Sequence, residues 1–215
     1  MNKFFSLLLG ASLLAACGTS APESGHDHHG SDAPSSLADG LYVITKVAPK
    51  VTWSAEKLTG DGHQGTLAVS GGKFKVANGQ IQDGVVNFDM TQISVTDLTG
   101  EKKANLEGHL RSGDFFNVET HPNAVLTVNS IEGSTLSASL DMNGVSVDYS
   151  IPVNITQTDV PGDQQGIAVT GKFDLDRTKH DITYRSKTFD DKLDWFIKDD
   201  VAVAFAVMGV GVPMQ

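Results

Sequence analysis

From Gly40 to the C-terminus the dominant hydrophobic period is two, which leaves little choice of fold. Val51-Thr52-Trp53-Ser54-Ala55 and Val86-Asn87-Phe88-Asp89-Met90 alternate, as do 145–151, 167–175 and 201–207. Successive side chains on a strand point to opposite faces, so each run describes a half-buried strand. Ser70-Gly71-Gly72, Ala77-Asn78-Gly79, Asp83-Gly84, Glu132-Gly133-Ser134, Asn143-Gly144 and Pro161-Gly162-Asp163 read as turns between strands. Short strands at near-regular spacing predict an all-β sandwich or barrel. One interruption is helical: Leu106 and Leu110 lie a turn apart within 102–110, and Glu107 is spaced to pair with Arg111. Ser112-Gly113-Asp114 then opens a short turn carrying Phe115 and Phe116, so a helical insert is expected around 101–117.

The N-terminus reads as an address. Lys3 precedes an apolar run from Phe4 to Ala16, shorter than the ~20 residues of a membrane-spanning helix. The run ends Leu14-Ala15-Ala16-Cys17, small residues before the chain's single cysteine. This resembles a bacterial lipobox, which implies cleavage before Cys17 and acylation of its thiol. Gly18 follows rather than Asp, so the expected location is the outer membrane, facing the periplasm. Residues 18–39 are rich in Gly, Ser, Pro, Asp and Ala and read as a flexible tether. A coil of that length reaches ~25 Å root-mean-square. The expected organisation is a signal peptide over 1–16, the lipidated cysteine and linker over 17–39, and one β domain over 40–215. Within the linker, His26-Asp27-His28-His29 has no fixed geometry for a metal and is read as solvated tether.

Composition excludes several classes. A formal net charge of −10 is the wrong sign for nucleic-acid binding. A single cysteine rules out an intrachain disulfide and a Cys-rich zinc site. Two Trp and three Tyr are too few for the aromatic girdles of a membrane-spanning barrel, on which a lipid anchor would also be redundant. Gly60-Asp61-Gly62-His63-Gln64-Gly65 fits a dinucleotide fingerprint in letters only. A strand pattern (66–70, then another around Phe74) follows it, where the phosphate-binding mechanism requires a helix N-terminus. No nucleophile elbow or zinc-protease motif occurs. His63, His109, His121 and His180 are dispersed, and Asp190-Asp191 and Asp199-Asp200 read as solvated edges. No catalytic residue, resident metal or cofactor is expected.

What remains is an apolar sheet face. Its inward positions are drawn from Trp53, Phe74, Phe88, Met90, Leu140, Met142, Phe173 and Phe205, with Phe115 and Phe116 near one end. An eight-stranded barrel is just wide enough for side chains or for one small ligand. Two uses of these residues are open at this point: to fill the core, or to line a cavity.

Several segments resemble the YceI-like family. Residues 106–122, Leu-Glu-Gly-His-Leu-Arg-Ser-Gly-Asp-Phe-Phe-Asn-Val-Glu-Thr-His-Pro, are similar to that family's H-L-x-S-x-D-F-F-D segment. Trp53 with His63-Gln64-Gly65-Thr66, and Ile93 to Leu98, resemble a lipoprotein-rich branch. Leu140 to Val145, Phe173-Asp174-Leu175-Asp176-Arg177-Thr178 and Phe196 to Val201 match later elements, so the likeness spans nearly all of 41–207. Departures include Leu126, Ser146 and Val147-Asp148, side chains on which cavity shape depends. The resemblance implies a single antiparallel, lipocalin-like, eight-stranded barrel holding a polyisoprenoid or similar long-chain lipid, such as a quinone or polyprenyl phosphate. It implies a non-catalytic carrier, buffer or store, with the ten apolar residues above as the cavity. The alternative is a stress-response or interaction lipoprotein whose barrel is filled by its own side chains. A homodimer is left open.

Overall fold

The computed structural model describes residues 36–45, 50–162 and 164–212. The expected signal peptide, Cys17 and the expected linker as far as residue 35, with its His26–His29 tract, lie outside the described residues.

Nine strands follow one another along the chain, alternating in direction from β2 onward: β1 (Gly40–Ile44), β2 (Lys50–Glu56), β3 (Gly62–Ala77), β4 (Gln80–Val95), β5 (Asn123–Glu132), β6 (Thr135–Met142), β7 (Val145–Val160), β8 (Gln164–Asp176) and β9 (Asp200–Gly211). A helix, α1 (Gly100–Arg111), stands between β4 and β5. Every neighbouring pair is antiparallel. β1 and β2 lie end to end between β3 and β9, each pairing with both. Nine strands therefore make eight staves, and the sheet closes on itself as an up-and-down barrel. Closure removes the free edges of an open sheet.

The turns follow their chemistry. Asn78-Gly79 and Asn143-Gly144 each join a directly paired strand couple, with φ of 56° and 72° in one turn and 54° and 77° in the other. Two consecutive left-handed residues define the type I′ turn, whose twist matches the flanking strands. Two of the expected turns are not turns. Ser70-Gly71-Gly72 lies inside β3, where the register with β4 slips between Val69 and Gly71, and Asp83-Gly84 lies inside β4. Glycine within a strand marks a bulge or a close approach as readily as a break. Gly84 is such an approach: a Cβ there would stand 2.8 Å from Phe74 Cβ.

The two ends of the barrel differ. At the end carrying the turns 78–79 and 133–134, the core is dense: Tyr42, Val76, Ile81, Ile131, Leu136, Ile151 and Ile167 are all buried. Residues 36–39, the last four of the expected linker, are seated on the domain. Tyr42 Oη donates to Ala38 O, Gln157 Nε2 to Ser36 O and Gly79 N to Asp39 Oδ1, while Leu37 packs against the core. The other end is covered by α1 with its following turn, and by a long excursion between β8 and β9. The helix agrees with the expected insert, and Glu107 and Arg111 approach to 3.8 Å.

α1 has a specific task. β5 pairs with β4 only as far as Asp89, so β4 runs on past its neighbour. Arg111 fills the gap, its Nε donating to Thr91 O and its Nη2 to Ile93 O, both at 3.1 Å. Glu107 Oε1 accepts from Val95 N (2.9 Å) and Ser94 Oγ (3.1 Å). The backbone hydrogen bond from Val95, aided by Ser94 and the nearby cations, holds this carboxyl below the usual range despite desolvation. The helix thus replaces a missing strand by side-chain hydrogen bonds.

Candidate functional site

The barrel encloses an apolar lumen with a cavity of about 190 Å³. All ten residues expected there line it: Trp53, Phe74, Phe88, Met90, Phe115, Phe116, Leu140, Met142, Phe173 and Phe205. They differ in what they do. Phe74, Met90, Leu140 and Met142 are buried in dense packing, whereas Trp53, Phe88, Phe173 and Phe205 remain half-buried on the cavity surface. Phe115 and Phe116 close the helical end, packing against Met90 on one side and Leu110 on the other. Sequence reasoning missed several wall residues, among them Leu67, Val203 and Val207, while Leu126, noted as a departure that bears on cavity shape, does line the lumen. Their alternation was visible, but ordinary aliphatic residues carry no mark that separates a lumen wall from a filled core.

The lumen stays open because of how its aromatics are paired. Trp53 faces Gly65 across the β2–β3 ladder, Phe74 faces Gly84 across β3–β4, and Phe205 faces Gly171 across β8–β9. Gly65 and Gly171 leave room that the rings of Trp53 and Phe205 take, whereas at Gly84 the close atom is Phe74 Cβ. A Cβ on Gly171 would stand 2.5 Å from Phe205 Cζ, and one on Gly65 would stand 2.5 Å from Trp53 Cζ2. The Phe74 ring also crosses the position a Cβ would take on Gly209, and it stacks on Tyr42 at 5.3 Å. Rings laid over glycines hug the wall instead of crossing the lumen.

Polar groups at the wall are few. Lys73 and Arg177 are the charged residues that touch it. Trp53 Nε1 is buried with no hydrogen-bond partner among the described residues, a donor left unsatisfied within an apolar surface. No cluster of three or more metal-ligating residues occurs among the described residues.

Arg177 anchors the second closure. It is 3 % exposed, and its guanidinium donates to the carbonyls of Ile182 (2.7 Å), Lys198 (3.1 Å) and Ile197 (3.2 Å) and to Asp199 Oδ1 (3.3 Å). One side chain thereby clasps both feet of the 181–199 excursion, a strap over the barrel end. Burial pulls the guanidinium pKa down, opposed by Asp199 and Asp176. Asp199 was expected to be a solvated edge. Instead it serves Arg177 and also accepts from Thr188 Oγ1 at 2.6 Å, because a buried guanidinium needs a counter-charge.

Beside it lies His180, fully buried. Val145 O can only accept, so Nδ1 carries the proton and donates to it (3.0 Å), leaving Nε2 to accept from Tyr149 Oη (2.9 Å). Desolvation pushes this imidazole's pKa down, and burial with Asp176 pushes the Tyr149 phenol up to about 12. The pair is a neutral structural bracket. The other domain histidines are also accounted for: Nδ1 of His63 lies 2.8 Å from Asp97, Nε2 of His109 lies 3.0 Å from Asp114, and His121 packs under the Gly144 turn. The two closures meet at His109, Phe115 and Tyr184, whose ring centroids are 4.9–5.3 Å apart.

A closed antiparallel barrel with an apolar lumen, a wall nearly devoid of polar atoms and a helical plug defines the lipocalin-like class. The YceI-like domain profile matches residues 42–208. The chain belongs to the YceI-like family. No curated protein sequence matches it. Among solved structures it is similar to BcnA of Burkholderia cenocepacia (14 % identity, TM-score 0.61, covering 77 % of this chain and 98 % of that one). A polyisoprenoid-binding domain from Saccharophagus degradans, implicated in plant cell wall breakdown, is similar to the same degree (16 %, 0.61, 80 % and 98 %). The YceI protein of Campylobacter jejuni is similar over less of either chain (16 %, 0.52, 68 % and 81 %). At these identities the likeness is one of fold.

Proposed function

We propose that the protein is a non-catalytic, lipid-anchored envelope protein that holds a polyisoprenoid or similar amphipathic lipid in its lumen, as carrier, buffer or store. The observation that carries this reading is the apolar cavity, kept open by aromatics that lie over glycines rather than filling the space. The family and the polyisoprenoid-binding relative support the same ligand class. Each buried CH₂ gains about 0.8 kcal/mol against water. The same chain gains as much in a bilayer, so net preference rests on shape fit and headgroup. That suits reversible exchange beside a membrane, with the acylated Cys17 as tether. A volume of about 190 Å³ is small beside the ~300–1,000 Å³ of ordinary ligand pockets. A long chain therefore enters by turning half-buried rings such as Phe88 and Phe205 aside.

The small volume also favours the alternative, an interaction lipoprotein with a self-filled barrel, and one experiment separates the two. The full chain carrying Cys17→Ser is purified from cells that make isoprenoid lipids, extracted with organic solvent and analysed by mass spectrometry. A stoichiometric isoprenoid or quinone supports the carrier. A protein that arrives empty and then takes up neither polyprenol nor quinone excludes it.

A further inference from the structure

The lumen has one end where lipid can pass. Its walls are strands hydrogen-bonded all round, completed by α1 beside the overhang of β4. The end at Tyr42, Ile81 and Leu136 is densely buried and further covered by 36–39. At the other end half-buried residues, Phe115, Phe116 and Ile197, line the cavity directly. Ile197 belongs to the strap, whose residues 187–192 are all exposed. Residues 187–196 form no helix or strand, and Lys192 N donates to the side chain of Asp190 rather than to a ladder. Few buried contacts and few backbone hydrogen bonds mark an element that opens at low free energy.

The outer face of that strap has its own character. The two most exposed large apolar side chains among the described residues are Phe189 (62 %) on the strap and Leu58 (52 %) in the β2–β3 turn. The turn and the strap are joined: Leu58 N donates to Phe196 O, and Lys57 bridges to Ile197. Trp195 and Phe196 lie between, with cations over their rings: Arg185 at 4.3 Å and Lys57 at 5.5 Å from Trp195, and Lys187 at 6.0 Å from Phe196. Apolar tips, half-buried aromatics and long cationic stems that can snorkel form the composition of a surface seated at a bilayer interface.

Charge says which surface it meets. Residues 56–58 and the strap 181–199 carry five cations (Lys57, Arg185, Lys187, Lys192, Lys198) against six carboxylates (Glu56, Asp181, Asp190, Asp191, Asp194, Asp199), of which Asp199 is paired with Arg177. Lys198 pairs with Glu56 at 2.6 Å and Arg185 with Asp194 at 3.0 Å. This face is close to neutral on a chain of net charge −10. An acidic protein is repelled by anionic headgroups, and this is a face it can bring to a membrane without that penalty.

We propose that Leu58, Phe189, Trp195 and Phe196 form a membrane-docking face, and that lipid enters and leaves the lumen beneath the strap they cover. The second half of the proposal rests on the lumen holding lipid; docking stands independently of it. Insertion is driven by the apolar tips, so contact with zwitterionic phosphatidylcholine persists at high salt.

Two measurements test it, both on the full chain carrying Cys17→Ser, which has no other cysteine. Single cysteines replacing Phe189, Leu58 and, at the opposite end, Ser134 are each labelled with an environment-sensitive fluorophore. The labelled proteins are mixed with phosphatidylcholine vesicles containing brominated acyl chains. Quenching at 189 and 58 but not at 134 is expected. Vesicle-bound protein quenched only at 134, or at none of the three, overturns the docking face. Second, the double variant Leu58→Ser/Phe189→Ser is compared for transfer of polyprenol between loaded and empty vesicles, and for lipid retained on purification. Transfer slowed about tenfold or more with retained lipid unchanged is expected, since the lumen is untouched and two apolar anchors are lost. Equal transfer rates overturn the portal. If the parent protein retains and transfers no lipid, the carrier reading and the portal fail together, while quenching still decides the docking face.

Discussion

Replacing Gly171 by Ala tests whether a glycine opposite an aromatic keeps the lumen open. Gly171 is on β8, directly across from Phe205, and its φ is not in the left-handed region, so alanine fits the backbone. The new methyl would stand 2.5 Å from Phe205 Cζ, 2.8 Å from Cε1 and 2.9 Å from Pro152 O. Carbon atoms rest at about 3.5 Å or more, so the ring must retreat by about 1 Å. Its free direction is inward, into a cavity of about 190 Å³. Overpacking of this kind costs about 1–3 kcal/mol. Against it stands about 0.4–1 kcal/mol gained because alanine restricts the unfolded chain. Net destabilisation is therefore modest, at most about 2.5 kcal/mol, while the lumen narrows. Urea denaturation reads the first effect. Uptake of a lumen probe, such as xenon in crystals or a naphthylamine dye in solution, reads the second. The double variant Gly171→Ala/Phe205→Leu removes the ring clash, leaving only the 2.9 Å approach to Pro152 O, and should recover most of both, giving a coupling energy of the opposite sign to the single change. A Gly171→Ala protein with an undiminished cavity, or one destabilised by more than about 4 kcal/mol with no rescue from Phe205→Leu, would refute the reasoning. Gly65→Ala is not equivalent, because its methyl would run into the backbone carbonyl of Ser94.

Two other perturbations probe the closures. His180 is neutral in the fold and its pKa is depressed there, so the unfolded chain takes up a proton first as pH falls. Stability therefore drops as pH falls through the unfolded value near 6.5 toward the folded one, with a slope of at most about 1.4 kcal/mol per pH unit. His180→Gln should remove that component of the urea midpoint's pH dependence between pH 7.5 and 5.5; an unchanged slope would assign it elsewhere. Glu107→Ala strips the acceptor from Val95 N and Ser94 Oγ and leaves Arg111 without its partner carboxylate. A loss of about 1–3 kcal/mol is expected, with faster hydrogen exchange at Val95 than at the β7–β8 ladder.

Much of the barrel was legible in the sequence because the signal was repeated. The runs 51–55, 86–90, 145–151, 167–175 and 201–207 each sit inside an observed strand, and Asn-Gly marked two hairpins. Ser70-Gly71-Gly72 and Asp83-Gly84 misled because glycine serves a bulge, a ring contact and a turn alike, and only the partner strand distinguishes them. The lumen residues were identified through alternation, which assigns a face but cannot say whether that face meets itself across a void. Arg177 sat in a noted motif, yet its four acceptors come from positions 182 to 199, which no local pattern announces. Trp195 and Phe196 belong to a stretch without periodicity and gave no signal of a surface role.

The sequence alone determined an all-β domain, four of its hairpin turns, the helical insert and much of the inward set of side chains, since these depend on periods of two to four residues and on local turn chemistry. Tertiary structure decided that β1 and β2 share one stave, that α1 supplies the hydrogen bonds of an absent strand, and that Gly65, Gly171 and Gly209 lie under Trp53, Phe205 and Phe74. These are registers between residues far apart in the chain. Whether opposing apolar faces fill a barrel or leave it hollow depends on which side chains stand opposite one another, and only the closed sheet fixes that.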